Sequence, residues 1–388
     1  MKHVGMYIHI PFCKRKCSYC DFYSCDNKQE IIPEYIKYLK QELKEVGVGI
    51  KLDAQQKINE DVTIDTIYIG GGTPSYIDSK YIIEILDIIK SYFNIEKNVE
   101  ITIEINPGTI NEEKLKDYKK TGINRCSIGL QSANNELLKT LGRIHNVDEF
   151  MNTYNLAKKV GFNNINIDFI IGIPGQTLDD IEDMLDLINK INPEHVSVYS
   201  LILEDETKLT KQVEDGIYNL PEEEHERQMY WKVKNILEKM EYHHYEISNF
   251  AKKGYESKHN LDCWNQKEYI GFGVGAHSYT DNVRYSNISN IEEYILNFKN
   301  EKQEDNIIFH EKQNPYSKMQ EYMMLGLRKI DGIDLNSFNE KFGMDAKEIF
   351  KEQISKLIKD GLIEIDENNI KLTNKGIDLA NIVWEEFV

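Results

Sequence analysis

Residues 6–20 read Met6-Tyr7-Ile8-His9-Ile10-Pro11-Phe12-Cys13-Lys14-Arg15-Lys16-Cys17-Ser18-Tyr19-Cys20. A short apolar run, strand-like in composition, feeds directly into a loop with three cysteines at spacings of four and three. Thiolates so spaced can converge on one iron–sulfur cube from a single loop and leave its fourth iron open, the position that a ligand needs. Structural zinc, the other metal reading, wants four ligands, often as two Cys-x-x-Cys pairs. Cys25 is available as a fourth ligand, but no second pair exists, and Cys126 and Cys263 are far away in sequence. The start is expected to be a buried first strand. Its apolar stretch is broken by His9 and runs into cysteines, whereas a signal peptide has a longer apolar region and a small-residue cleavage site. A cytoplasmic location is therefore expected, and there a cysteine cluster points to a metal before a disulfide.

Outward from this stretch, β-rich runs alternate with amphipathic helical runs. Strands are expected at 6–10, 66–70, 100–105, 125–130, 165–171 and 196–201. Several are almost continuously apolar, as parallel strands covered on both faces are. Between them, helices are expected at 33–46, 78–93, 111–121, 147–160 and from Thr177 to about 191. Gly122 and Gly161 fall just past two of these ends, and Thr177 with Asp180 forms a capping-box pattern. Six strand–helix units with right-handed crossovers predict an α/β fold, a partial (β/α)6 barrel.

After residue 205 the pattern changes. A helix is expected at about 222–240, an irregular segment at 242–285, and a charged linker at 300–313. The tail reads as three helices, a hairpin at 362–365 and 370–373, and a last helix, which suits a small winged-helix-like module. Three units follow as an expectation: a barrel at 1–205, an α+β extension at 206–313 and the module at 314–388.

The net charge is −18 over 388 residues. A general nucleic-acid binder needs clustered cations, so this balance argues against one. From residue 332 onward, 7 lysines and no arginine stand against 12 acidic residues, so the winged-helix pattern reads as a cap or docking module. Direct docking on an anionic membrane is disfavoured for the same reason. No run approaches the roughly 18 apolar residues that span a bilayer.

A second motif, Gly70-Gly71-Gly72-Thr73-Pro74, follows the second strand. Glycines there let the backbone approach a ligand closely, although a tight turn alone would also use them. Cys13, Gly71, Glu104 and Gln131 all fall at or just after the C-terminal ends of successive expected strands. That rim is where barrels build active sites.

Cys-x3-Cys-x2-Cys resembles the signature of the radical S-adenosylmethionine (SAM) superfamily. More narrowly, Tyr7-Ile8-His9-Ile10-Pro11-Phe12-Cys13 resembles the oxygen-independent coproporphyrinogen III oxidases and their relatives, the HemW-type heme chaperones, over nearly the whole chain. The resemblance implies a [4Fe-4S] cluster on Cys13, Cys17 and Cys20. It also implies SAM held by Tyr7, Tyr19, Gly71, Gly72, Thr73, Glu104, Gln131, Arg143, Asp168, Ile202 and His277. The chemistry it implies is one-electron reductive cleavage of SAM to methionine and a 5′-deoxyadenosyl radical. Reduction implies a partner of flavodoxin or ferredoxin type.

A third motif separates the two subfamilies. His259-Asn260-Leu261-Asp262-Cys263-Trp264 looks like the His-Asn-x-x-Tyr-Trp heme motif of the chaperones, with Cys263 where they have tyrosine. Imidazole and thiolate are both competent axial ligands of heme iron; packing roles for His259 and Trp264 stay open. The oxidases carry a further cysteine two residues after the third cluster ligand, where this chain has Phe22, and they extend further ahead of the motif. The expected function is heme binding and delivery to an acceptor protein, without oxidase activity and with membrane association only through a partner. The alternative is radical decarboxylation of coproporphyrinogen III.

Overall fold

The computed structural model describes residues 2–55 and 62–388. Six parallel strands form its centre: β1 (Lys2–Ile10), β2 (Val62–Gly71), β3 (Asn94–Ile105), β4 (Arg125–Gln131), β5 (Ile165–Ile171) and β6 (His195–Ser200). Helices α1 (Ile32–Gln55), α2 (Ser79–Tyr92), α3 (Glu112–Lys120), α4 (Asn135–Thr140), α5 (Val147–Val160) and α6 (Leu178–Ile191) lie between them in the chain. Local chemistry fixes their ends. Asn146 with Glu149 and Thr177 with Asp180 close capping boxes on α5 and α6, and Gly161 ends α5 at φ 98°. The apolar stripe of α2, Ile82, Ile85, Leu86 and Ile89, is fully buried. Burial of such side chains stabilises the fold by about 1.5–3 kcal/mol each.

The second half of the chain extends this sheet on both edges. Beside β6 lie β8 (Asn249–Ala251) and β7 (His243–Glu246); beside β1 lie β9 (Tyr269–Phe272), β10 (His277–Thr280), β11 (Val283–Asn287) and β12 (Ile307–Lys312). β9 runs parallel to β1, and the other added strands pair antiparallel. Two expectations are corrected here. Residues 242–285 are not irregular but hold four strands, part of a fifth, and helix α9 (Lys258–Trp264). The stretch 300–313 is no plain linker, because 307–312 is the edge strand β12. Its charges mask a short β-branched run, Ile307 and Ile308 before Phe309. The helices between these strands include α7 (Lys208–Glu214) and α8 (Glu223–Lys239).

From Pro315 the chain builds its own apolar core around Phe338, Phe350, Ile370 and Val383. A three-stranded antiparallel sheet of 333–334, 363–366 and 369–372 packs there with short helices. Asp378 ties this part to α8 by accepting from Trp231 Nε1 at 2.7 Å and Arg227 Nε at 2.8 Å. Among the described residues no helix is long and apolar enough to cross a membrane.

Candidate functional site

A cavity of about 460 Å³ opens at the C-terminal rim of the parallel strands. Its first wall is the loop 13–24. The loop is pinned at both ends, since Cys25 N donates to Pro11 O at 2.7 Å and Cys13 N to Cys25 O at 2.9 Å. The glycine bend closes on its base: Gly72 N donates to Ile10 O and Thr73 N to Phe12 O, both at 2.9 Å. A Cβ on Gly72 would stand 2.8 Å from the Pro11 carbonyl carbon, and Gly71 has φ +113°. Only glycine suits both positions.

Cys13, Cys17 and Cys20 all face this cavity. Cys13 Sγ accepts from Thr73 Oγ1 at 3.5 Å, and Cys17 Sγ accepts from Arg143 NH1 at 3.4 Å. Burial pushes the Cys13 and Cys20 thiols up, Cys20 to about 11, so metal is what would draw off their protons. Among the described residues no three His, Cys, Asp or Glu side chains converge on one ion position. Three thiols on one wall match the three-cysteine donor set of a cube with one open iron, whereas structural zinc needs four ligands. The donor set therefore fits an iron–sulfur cluster.

Buried polar groups line the opposite wall. Glu104 accepts from Tyr68 Oη at 2.9 Å and from Gly71 N at 3.2 Å. Desolvation, with the nearby charge of Asp168, raises its carboxyl to about 7. Asp168 accepts from Asn166 Nδ2 at 2.8 Å and Ser127 Oγ at 3.1 Å; burial raises its carboxyl against the pull of these bonds and of the Arg125 charge. Gly129 leaves room for two crossing side chains, because a Cβ there would meet Gln131 Nε2 at 2.8 Å and Arg143 NH2 at 3.2 Å. Arg143 NH2 donates to Gly129 O at 2.8 Å, while its Nε is buried without a hydrogen-bond partner among the described residues. Gln131 ends β4 at φ 77°, an uncommon conformation for a side-chain-bearing residue.

Nine residues named from the sequence share this wall and rim: Tyr19, Gly71, Gly72, Thr73, Glu104, Gln131, Arg143, Asp168 and Ile202. Tyr7 and His277 do not line it. Tyr7 stacks on Tyr68 and bonds His9 Nδ1 at 3.0 Å, while His277 is exposed on β10 and stacks on His310 with centroids 5.4 Å apart. Tyr68, Ser127 and Tyr199 also line the cavity without having been singled out. Strand parity was the available signal, since Tyr68 is two residues before Gly70, and Ser127 two before Gly129.

The heme-motif residues lie at the other end of the barrel. Helix α9 plugs it, with Lys258 N and His259 N donating to Glu100 at 3.3 and 3.2 Å. His259 Nδ1 bonds Thr66 Oγ1 at 2.9 Å, and its ring packs 5.3 Å from that of Tyr68. Burial, with the Arg125 charge, lowers His259 to about 4, and burial raises Cys263 to about 12. The Trp264 ring is covered by the Arg328 guanidinium at 4.4 Å. Imidazole and thiol fit heme chemically, while His259 is buried against the barrel strands in this structure.

A parallel partial barrel with three cysteines in its first loop and a glycine bend on its second strand defines a radical SAM protein. The model described as "Radical SAM superfamily" matches residues 7–188. Membership implies a [4Fe-4S] cluster and SAM. The chain belongs to the HemW family. It is 36% identical over 382 residues to "Heme chaperone HemW" of Lactococcus lactis, covering 98% of this chain and 96% of that one. It is equally 36% identical over 392 residues to "Heme chaperone HemW" of Bacillus subtilis, covering 98% of each. The "HemN C-terminal domain" model matches 315–379. In fold the chain resembles the coproporphyrinogen III oxidase HemN of Escherichia coli, with TM-score 0.85, 22% identity, and 100% of this chain and 90% of that one covered.

Proposed function

We propose that this protein is a radical SAM heme chaperone, holding a [4Fe-4S] cluster on Cys13, Cys17 and Cys20 and binding heme for delivery to an acceptor protein. The observation that carries this reading is full-length similarity to heme chaperones, joined to a cavity with three cysteines on one wall. Phe22, exposed at the cavity rim, stands where the resembled oxidases have a further cysteine, which favours the chaperone over the oxidase reading.

When bound, the cluster supplies one electron to the SAM sulfonium. The protein's part is orientation and exclusion of water. The bend of Gly71, Gly72 and Thr73, its amides already donating to Glu104, Ile10 and Phe12, would offer carbonyl oxygens to the methionyl end of SAM. Glu104 would accept from its amine, and Arg143 and Gln131, which cross over Gly129, would bind its other polar atoms. Tyr19 and Ile202 shield the rim. Tyr7 and His277 serve only if the chain rearranges around a ligand. At the barrel base, His259, Asn260, Cys263 and Trp264 would hold heme, a contact that requires α9 to move. The units 1–205, 206–313 and 314–388 serve as SAM barrel, heme-bearing extension and cap. We place the protein in the cytoplasm.

The test is anaerobic reconstitution, iron and sulfide analysis, and heme titration, followed by assay on coproporphyrinogen III. Stoichiometric heme with unchanged coproporphyrinogen is expected. Decarboxylated product after reduction with SAM would overturn the chaperone reading, and zinc without iron or sulfide would overturn the cluster.

A further inference from the structure

A second cavity, of about 380 Å³, lies against the outer side of the cysteine loop. Arg15, Lys16, Lys139 and Lys208 line it with Ser18 and Tyr218, and no carboxylate does. Lys139 pairs with Glu136 of its own helix at 2.7 Å. Among the described residues Arg15 donates to the carbonyl oxygens of Gly142 and Arg143, at 2.8 and 2.9 Å, and Lys16 Nζ to that of Phe22, at 3.3 Å. Lys208 is exposed. Among the described residues these three side chains form no ion pair, although Lys16 N donates to Asp26 Oδ2 at 3.1 Å. They form a concave positive spot on a chain of net charge −18, whose surface as a whole repels acidic partners.

Its position matters as much as its charge. Ser18 N donates to Leu141 O at 3.0 Å and Ser18 O accepts from Leu209 N at 2.7 Å, so the loop is stitched to both other walls. Cys17 faces the main cavity and Ser18 this one, while Arg15 lines both. Adjacent Cα atoms stand about 3.8 Å apart, so one thickness of backbone separates the two spaces. Beside Tyr218, Ile217 is 61% exposed, an apolar contact next to the cations.

Resting on the cluster proposed above, we infer that this cationic pocket is the docking surface for an acidic one-electron donor protein of flavodoxin type. The donor loses one electron and the cluster gains one across the Cys17–Ser18 backbone; no bond forms or breaks. Complementary charge at such a spot speeds encounter and selects the partner.

The test uses reconstituted protein of measured iron and sulfide content, mixed in stopped flow with a reduced acidic flavodoxin or with dithionite. Lys139→Glu/Lys208→Glu is expected to slow reduction by flavodoxin about tenfold at low salt, and to weaken the complex seen by calorimetry in proportion, with dithionite reduction within about threefold. Equal flavodoxin rates at full iron content would overturn the docking surface alone; a wild-type protein without iron or sulfide would overturn the cluster with it. If the charge-reversed protein loses iron, Lys139→Gln/Lys208→Gln is compared at equal iron. A slowing of about threefold supports the surface and none overturns it. Saturable pyrophosphate binding that the variant loses, with flavodoxin reduction unchanged, would make the pocket a small-anion site and overturn the proposal.

Discussion

Glu104 is expected to make the folded chain less stable as pH rises through the window from about 4.5 to 7, and Glu104→Gln to remove that slope. In the unfolded chain the carboxyl ionises first, near pH 4.5; in the folded chain it keeps its proton to about 7. Within the window the unfolded state therefore binds fewer protons, and stability falls until the folded group also ionises. The full shift corresponds to about 3 kcal/mol, and partial contact with the open cavity trims it to roughly 2 kcal/mol. With unfolding entropy of about 2.1 cal/mol/K per residue, that is a Tm difference of roughly 2–3 °C for a chain of this length. Glutamine still accepts from Tyr68 or Gly71 but not both, a cost present at every pH that cancels in the comparison. Scanning calorimetry of cluster-free protein at pH 5 and pH 8 measures it. The Tm of the variant relative to the parent is expected to rise by that amount between the two. A relative Tm that stays level would refute the buried-carboxyl argument.

Cys20→Ala is expected to drop iron and sulfide to less than about a tenth after reconstitution, while Cys25→Ser, whose backbone pins the loop, keeps most of both; colorimetric iron and sulfide assays decide. Gly72→Ala pushes a methyl group into the Pro11–Phe12 backbone, so it should destabilise the protein by about 1–3 kcal/mol in urea titration. SAM affinity by calorimetry should fall at least about tenfold with it. Thr66→Val removes the bond to His259, worth about 1 kcal/mol, and should tighten heme binding about fivefold by easing release of α9. Unchanged or weaker heme affinity would speak against His259 as a heme contact.

The six parallel strands were legible because apolar residues recur through them, several almost continuously, with helix signals between successive strands, and all six overlap the expected runs. The cavity wall was legible where glycine and cysteine mark it. Tyr68 was not, because an aromatic two residues before a glycine looks like any strand residue until its hydroxyl meets Glu104, thirty-six positions away. The second half was least legible. β7 to β11 have three to five residues each and gain stability from neighbours distant in sequence, so local patterning carries little of their signal. The helical spacing of 258–264 was equally obscure, since α9 is short and held by Glu100 and Thr66 from the barrel.

The sheet order carries one more consequence. Both flanks of the six-stranded centre are covered by chain that follows residue 240, four strands on the β1 side and two on the β6 side. A fragment stopping near residue 205 would bare two rows of unpaired amide and carbonyl groups, each an open template for self-association. The cysteine-bearing half thus has both of its edges shielded by strands that flank the segment carrying His259 in the chain.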